Sequence, residues 1–256
     1  MLELKTMTII PLSEGSFTID KTKVFVPFDT TKEELNSRPI GSLLVEIQPF
    51  LIITAKDVIL IDTGLGYNLS NGVPQIYYNL EKAGYNPSQI TKVLMSHLHK
   101  DHAGGITTRN YSTGEQFIAF PYAHYYVQRR EFEFAMGIGS ASYVKEDIAI
   151  LEEFSKVVWL NEDQGFIDGY IAYQLTGAHS KFHQVFTITE GNETVFFGGD
   201  DAPQLQQMKS RFVAKYDFDG KKCMELRKQW WEEGKEKGWK YLFYHDISSP
   251  VFNHST

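Results

Sequence analysis

Residues 96–105 read Ser96-His97-Leu98-His99-Lys100-Asp101-His102-Ala103-Gly104-Gly105. Three histidines and one aspartate fall within six residues, directly after the short apolar run Lys92–Ser96. That run reads as a strand, so the cluster occupies a loop at a strand's C-terminal end. In extended backbone, His97 and His99 project to the same side. Asp101 and His102 follow a bend and can face a different point. One loop can therefore serve two metal ions. Imidazole suits zinc, iron and similar ions, and carboxylate completes the shell. Gly104 and Gly105 allow a tight turn afterward. Read without a metal, the same residues form a histidine-bearing surface loop, or a helix start capped by Asp101. A stack of imidazoles beside a buried strand then needs a polar partner for every ring, which a metal supplies most simply.

Working outward, the first half of the chain reads as strands: Thr8–Pro11, Lys23–Val26, Leu43–Ile47, Leu51–Thr54 and Val58–Asp62. They are short, rich in Val, Ile, Leu and Phe, and separated by turn residues. Pro74–Ala83 reads as a helix stopped by Gly84. Two strands, Phe117–Phe120 and His124–Gln128, follow the histidine loop, and Tyr143–Phe154 has helical spacing. Tyr170–Thr176, Gln184–Thr189 and Thr194–Phe197 return to strand, with Gly191-Asn192 as a hairpin turn. Lys222–Lys237 reads as a helix and Tyr241–Tyr244 as a last buried strand. Helices spaced between β-rich halves imply an α/β or α+β layered sandwich.

The 256 residues suffice for one sizeable domain, residues 1–256, with no repeat or linker. Apolar residues make up 42% and charged residues 22%, which excludes disorder as the main state. Cys223 is the only cysteine, which excludes a disulfide scaffold and fits a reducing, cytoplasmic setting. No apolar run is long enough for a membrane span or a secretory leader. The net charge of −7 argues against nucleic acid as a partner. A small-molecule substrate is expected, and a homodimer is compatible.

Ser96–Gly105 resembles the signature of the metallo-β-lactamase superfamily, and four further stretches match that family's landmarks in order. Val58–Gly64 resembles the strand and turn before the histidine loop. Thr176-Gly177-Ala178-His179 is similar to a later histidine motif, without its usual proline. Phe197-Gly198-Gly199-Asp200 resembles the strand that ends in a bridging carboxylate. Tyr244-His245-Asp246 resembles the final ligand segment. The resemblance implies a four-layer αββα sandwich. It implies one metal on His97, His99 and His179, a second on Asp101, His102 and His245, and Asp200 bridging both. His183 is a rival for His179, and Asp201 for Asp200. His124 and His254 match no landmark and read as structural or surface residues. Asp62 is expected to orient a ligand histidine through its other ring nitrogen.

By the same resemblance the cofactors are two divalent ions, zinc first, with iron or manganese as alternatives. The implied chemistry is a dinuclear metal-dependent hydrolase in which a bridging hydroxide attacks a lactone or carboxylic ester carbonyl. Asp101 is the candidate proton shuttle. β-Lactam-cleaving members carry Cys or Ser where Asp200 stands, which argues against that activity. The oxygen-reducing flavodiiron members have H-x-E-x-D in the loop, whereas position 99 here is His. The overall pattern is most similar to the N-acyl homoserine lactonases and the related organophosphate hydrolases. Those lactonases place a tyrosine three residues after the bridging aspartate; here that residue is Pro203, so phosphotriester or phosphodiester hydrolysis is the alternative. A mononuclear-iron persulfide dioxygenase is a more distant one. Tyr67, Phe132 and Met136 are expected to contact substrate, the last two within a lid-like run, Phe132–Ile138. The substrate is expected to be small, mostly apolar and neutral.

Overall fold

The computed structural model describes residues 7–110, 113–137 and 140–254. Two six-stranded sheets dominate. The first orders its strands as Thr8–Pro11, Phe50–Ile53, Val58–Ile61, Lys92–Leu94, His124–Gln128 and Val157–Leu160. The second orders them as Gln164–Ile167, Ile171–Leu175, Gln184–Glu190, Glu193–Phe197, Lys240–Leu242 and Val251–Asn253. A small three-stranded sheet, centred on Gly15–Ile19, carries Phe25–Pro27 and Leu43–Ile47 at its edges.

The inner strands of the first sheet are buried on both faces, which explains why they read as continuous apolar runs. Side chains alternate across a strand. Ile59 and Ile61 therefore enter one core, with Phe50, Leu94, Phe186 and Phe197 from both sheets. Leu60, between them, enters another, with Leu80 and Leu151 from the helical side. On the far side of the second sheet, Phe196 and Tyr241 pack with Trp230 of the helix Gly220–Lys237. These cores define helix, sheet, sheet, helix: the αββα sandwich. Asp219 caps that helix through Lys222 N–H, and Gly238 ends it at φ 68°.

The topology brings five loops to one end of the sandwich. Val58–Ile61, Lys92–Leu94 and His124–Gln128 run parallel, so the turns after Ile61 and Leu94 emerge together. In the second sheet Glu193–Phe197 and Lys240–Leu242 are parallel. Ile171–Leu175 shares their direction, because it is antiparallel to Gln184–Glu190, which is antiparallel to Glu193–Phe197. The carboxyl ends of parallel strands are where α/β sheets place ligands. Gln184 ties the two sheets at this end: its N–H donates to Ser96 O and its side-chain amide to Met95 O, at 2.9 and 2.8 Å.

Several elements differ from the sequence reading. Gly15–Ile19 and Val251–Asn253 are strands the reading did not place. Tyr143–Phe154 holds only the short helix Lys145–Ile148 and the 3-10 turn Ala149–Glu152. The lid-like run instead belongs to a nine-residue helix, Arg129–Gly137. Ile138, the last residue of that run, lies outside the described residues. The hairpin at Gly191-Asn192 stands, with Glu190 opposite Glu193.

Candidate metal centre

The histidine loop leaves the sheet at Leu94, and His99 precedes the single helical turn Lys100–Ala103. This turn is what separates two donor groups. His97, His99, His179 and Asp200 offer ligand atoms within 4.8 Å of one another, and so do Asp101, His102 and His245. His97 Nε2 lies 3.0 Å from His99 Nδ1, and His179 Nε2 lies 3.1 Å from that same atom. Asp200 spans the two groups. Its Oδ2 is 3.2 Å from His179 Nε2, and its Oδ1 is 3.1 Å from both His102 Nε2 and His245 Nε2. Asp101 Oδ2 lies 3.7 Å from His102 Nε2 and 3.5 Å from His245 Nε2.

Four of the five rings are aimed by a partner on the other nitrogen. His102 Nδ1–H donates to Asp62 Oδ2 at 2.7 Å, and His245 Nδ1–H to Glu46 O at 2.7 Å. His179 Nδ1 is 2.8 Å from Asp217 Oδ1, and His97 Nδ1 is 3.1 Å from Ser96 Oγ. Each of these four Nε2 atoms therefore points into the cluster. Asp62 is fully buried at φ 54° and also accepts Ser96 N–H and Ser96 Oγ–H, at 2.8 and 2.7 Å. One carboxylate thus fixes both the strand end and the His102 ring. Tyr244 stacks on His102 and donates its hydroxyl to Asp101 O at 2.6 Å.

The electrostatics divide the histidines. Burial, then neighbouring imidazoles, push His97 and His99 well below the usual histidine range, leaving bare lone pairs. Burial opposes charge on His102, His179 and His245 too, but Asp200 and its neighbouring carboxylates outweigh it and raise all three. Asp200 is driven well below the carboxylate range, because His245, His102 and His179 outweigh its burial. Buried His102 Nε2 and Asp200 Oδ1 nevertheless have no hydrogen-bond partner. Converging ring nitrogens and orphaned buried acceptors are the donor set a divalent cation fits.

His183 and Asp201, the rivals for two of these positions, pair with each other, Nδ1 to Oδ2 at 3.0 Å. His183 Nε2 accepts Asp200 N–H at 3.1 Å, and Asp201 Oδ1 accepts His179 N–H at 2.7 Å. They hold the backbone of the two residues they rivalled. The sequence reading missed this role, and it missed Asp217, which lies 38 residues from His179 with no motif of its own.

A cavity of about 470 Å³ opens on the cluster, lined by Phe25, Leu43, Phe134, Tyr143, Pro203, Tyr216 and Phe218 among others. The expected substrate residues do not line it. Phe132 is buried against Trp159, ring centroids 4.9 Å apart. Met136 packs on the helical side of the first sheet. Tyr67 packs edge-on against Phe17 beside a separate depression. Phe132 and Phe134 are two apart on a helix, so they point to opposite sides, and Phe134 takes the position expected of Phe132.

The metallo-beta-lactamase superfamily model matches residues 46–228, a span that includes every candidate ligand except His245. The chain belongs to the metallo-beta-lactamase superfamily. Several solved structures share its architecture across almost their whole length. A probable metal-dependent hydrolase from Staphylococcus aureus superposes with a TM-score of 0.79 at 22% identity, covering 99% of this chain and 94% of that one. AidC, a dizinc quorum-quenching lactonase, gives 0.73 at 19% identity, covering 100% and 92%. A mutant of AiiA from B. thuringiensis, with N-decanoyl-L-homoserine bound at the active site, gives 0.66 at 24% identity, covering 95% and 94%. No curated protein matches the sequence significantly. Among the described residues of this superfamily member, no helix is long and apolar enough to cross a membrane.

Proposed function

We propose that the protein is a dinuclear metal-dependent hydrolase acting on a lactone or carboxylic ester. The observation that carries this reading is Asp200, whose two oxygens face two separate donor groups beside an apolar cavity. In this reading His97, His99 and His179 hold one ion, Asp101, His102 and His245 hold the other, and Asp200 bridges them. Five imidazoles and two carboxylates suit zinc, with iron or manganese as alternatives. Two such ions, when bound, supply Lewis acidity and a water deprotonated near neutral pH.

The chain's own residues do the rest. Asp62, Glu46 O, Asp217 and Ser96 keep the ligand rings aimed. Asp101 lines the cavity and reaches the edge of the second donor group, where it would accept the proton lost by the attacking water and pass it to the leaving oxygen. Phe134, Tyr143 and Phe218 cover the substrate and keep bulk water out. The mostly aromatic and aliphatic wall favours an acyl or aryl group.

The test is a comparison of kcat/KM across acyl lactones, aryl esters, aryl phosphodiesters and aryl phosphotriesters. A lactone or aryl ester is expected to lead. A phosphoester ahead by tenfold, about 1.4 kcal/mol of transition-state preference, would overturn the carbonyl reading.

A further inference from the structure

The net charge of −7 is not mirrored in the cavity, where three lysines stand against three aspartates. Three lysines, Lys23, Lys100 and Lys181, line it. Its carboxylates are Asp101, Asp200 and Asp217, and each lies within 4 Å of a cluster histidine. Among the described residues, none of the three lysines has a carboxylate within 4 Å or a side-chain hydrogen bond.

Aromatic rings steady two of the three ammonium groups. Lys100 Nζ stands 5.9 Å from the Phe25 ring centroid, and Lys181 Nζ stands 5.5 Å from Phe134 and 5.3 Å from Phe182. Phe25 and Phe134 line the cavity as well. Lys23 holds φ 58°, one of only three non-glycine residues at positive φ among the described residues. Another of them is Asp62, at the heart of the site. Lys23 takes that backbone in the turn joining Gly15–Ile19 to Phe25–Pro27, closed by its N–H donating to Asp20 O at 3.0 Å. Lys23 lines the same cavity as Lys100 and His99. Like charges gathered without partners beside apolar walls oppose folding slightly, and a bound anion offsets that cost.

We propose that the cavity selects amphiphilic anions: substrates that carry a carboxylate, sulfonate or phosphate on an apolar chain. Lys23, Lys100 and Lys181 receive the anionic group, while the chain lies against Phe25, Leu43 and Phe134. Which bond is cleaved rests on the hydrolase reading above; the anion site does not. It also replaces the sequence-based expectation of a neutral substrate, because a chain-averaged charge says nothing about one cavity.

Two measurements separate the claims. The first is calorimetric binding of hexane-1-sulfonate and hexan-1-ol to the zinc-loaded protein and to its K23Q/K181Q variant. The sulfonate is expected to bind roughly tenfold tighter or better, the size of one or two charge-assisted hydrogen bonds. Its advantage is expected to shrink with added salt and to fall at least threefold in the double variant, which keeps Lys100. Equal affinity for the two probes, or an advantage undiminished in the double variant, would overturn the anion site. A thermal melt of the double variant within a few degrees of the parent shows that it folds. The second measurement compares kcat/KM for a phenyl alkanoate and for its analogue of equal length ending in a carboxylate. The carboxylate ester is expected to lead about tenfold, with the ratio collapsing in the double variant. Lysine-dependent sulfonate binding without ester cleavage would leave the anion site standing and sink the hydrolase reading. Equal cleavage of both esters with equal probe affinities would do the reverse.

Discussion

Asp200→Ala is expected to strip metal from the protein and abolish hydrolysis. Asp200 is the one side chain whose oxygens face both donor groups, at 3.1 and 3.2 Å from three histidine Nε2 atoms. Removing it takes a negative charge from each group at once. Changing a residue that merely orients a ligand costs about 10- to 100-fold in metal affinity, so losing a ligand shared by two ions is expected to cost about 100-fold or more. Dialysis against a chelator of graded strength, followed by elemental analysis, measures this. Asp201→Ala is the internal control. Asp201 supports His183 and the His179 backbone rather than the ions, so its loss is expected to lower thermal stability while two equivalents of metal remain. If Asp201→Ala loses the metals and Asp200→Ala keeps them, the bridge has been assigned one residue too early.

Asp62→Ala is expected to give the largest loss of folding stability in the metal-free protein. Its carboxylate is fully buried and accepts from Ser96 N, Ser96 Oγ and His102 Nδ1. Deleting it leaves three buried donors without a partner, and breaking such a network typically costs about 3–5 kcal/mol. Alanine at φ 54° adds strain that aspartate tolerates better. Denaturant unfolding at constant slope checks this. A midpoint shift worth less than about 1 kcal/mol, the level of an ordinary surface change, would contradict it.

These two predictions rest on residues of different legibility. Asp62 and the histidine loop announce themselves because their information is local. A buried strand, a bend and four donors lie in one short stretch of sequence, and its partner strand ends in Asp62. The layered fold was legible for a similar reason: strands covered on both faces read as unbroken apolar runs, as Val58–Ile61 does. The helix Arg129–Gly137 was not, because Glu131 occupies a core position. It is buried and accepts from Leu98 N–H and the Tyr143 and Ser180 hydroxyls, which breaks the apolar period. Choosing Phe132 and Met136 over Phe134 followed from treating that helix as a flexible lid. The buried His183–Asp201 pair showed only as a rival, since sequence cannot distinguish a ligand from the group that holds a ligand's backbone. Asp217 and the three cavity lysines come from four separate stretches, and only the closure of the sandwich brings them to one place.

The central claim is a two-ion centre, and metal content tests it most directly. Protein purified without chelator and equilibrated with zinc near neutral pH is expected to hold two equivalents per chain by elemental analysis. Occupancy is expected to fall as the pH is lowered, because His102, His179 and His245 retain protons above the ordinary histidine range and must release them to bind an ion. A reproducible single equivalent, with no gain on adding zinc, would contradict the account.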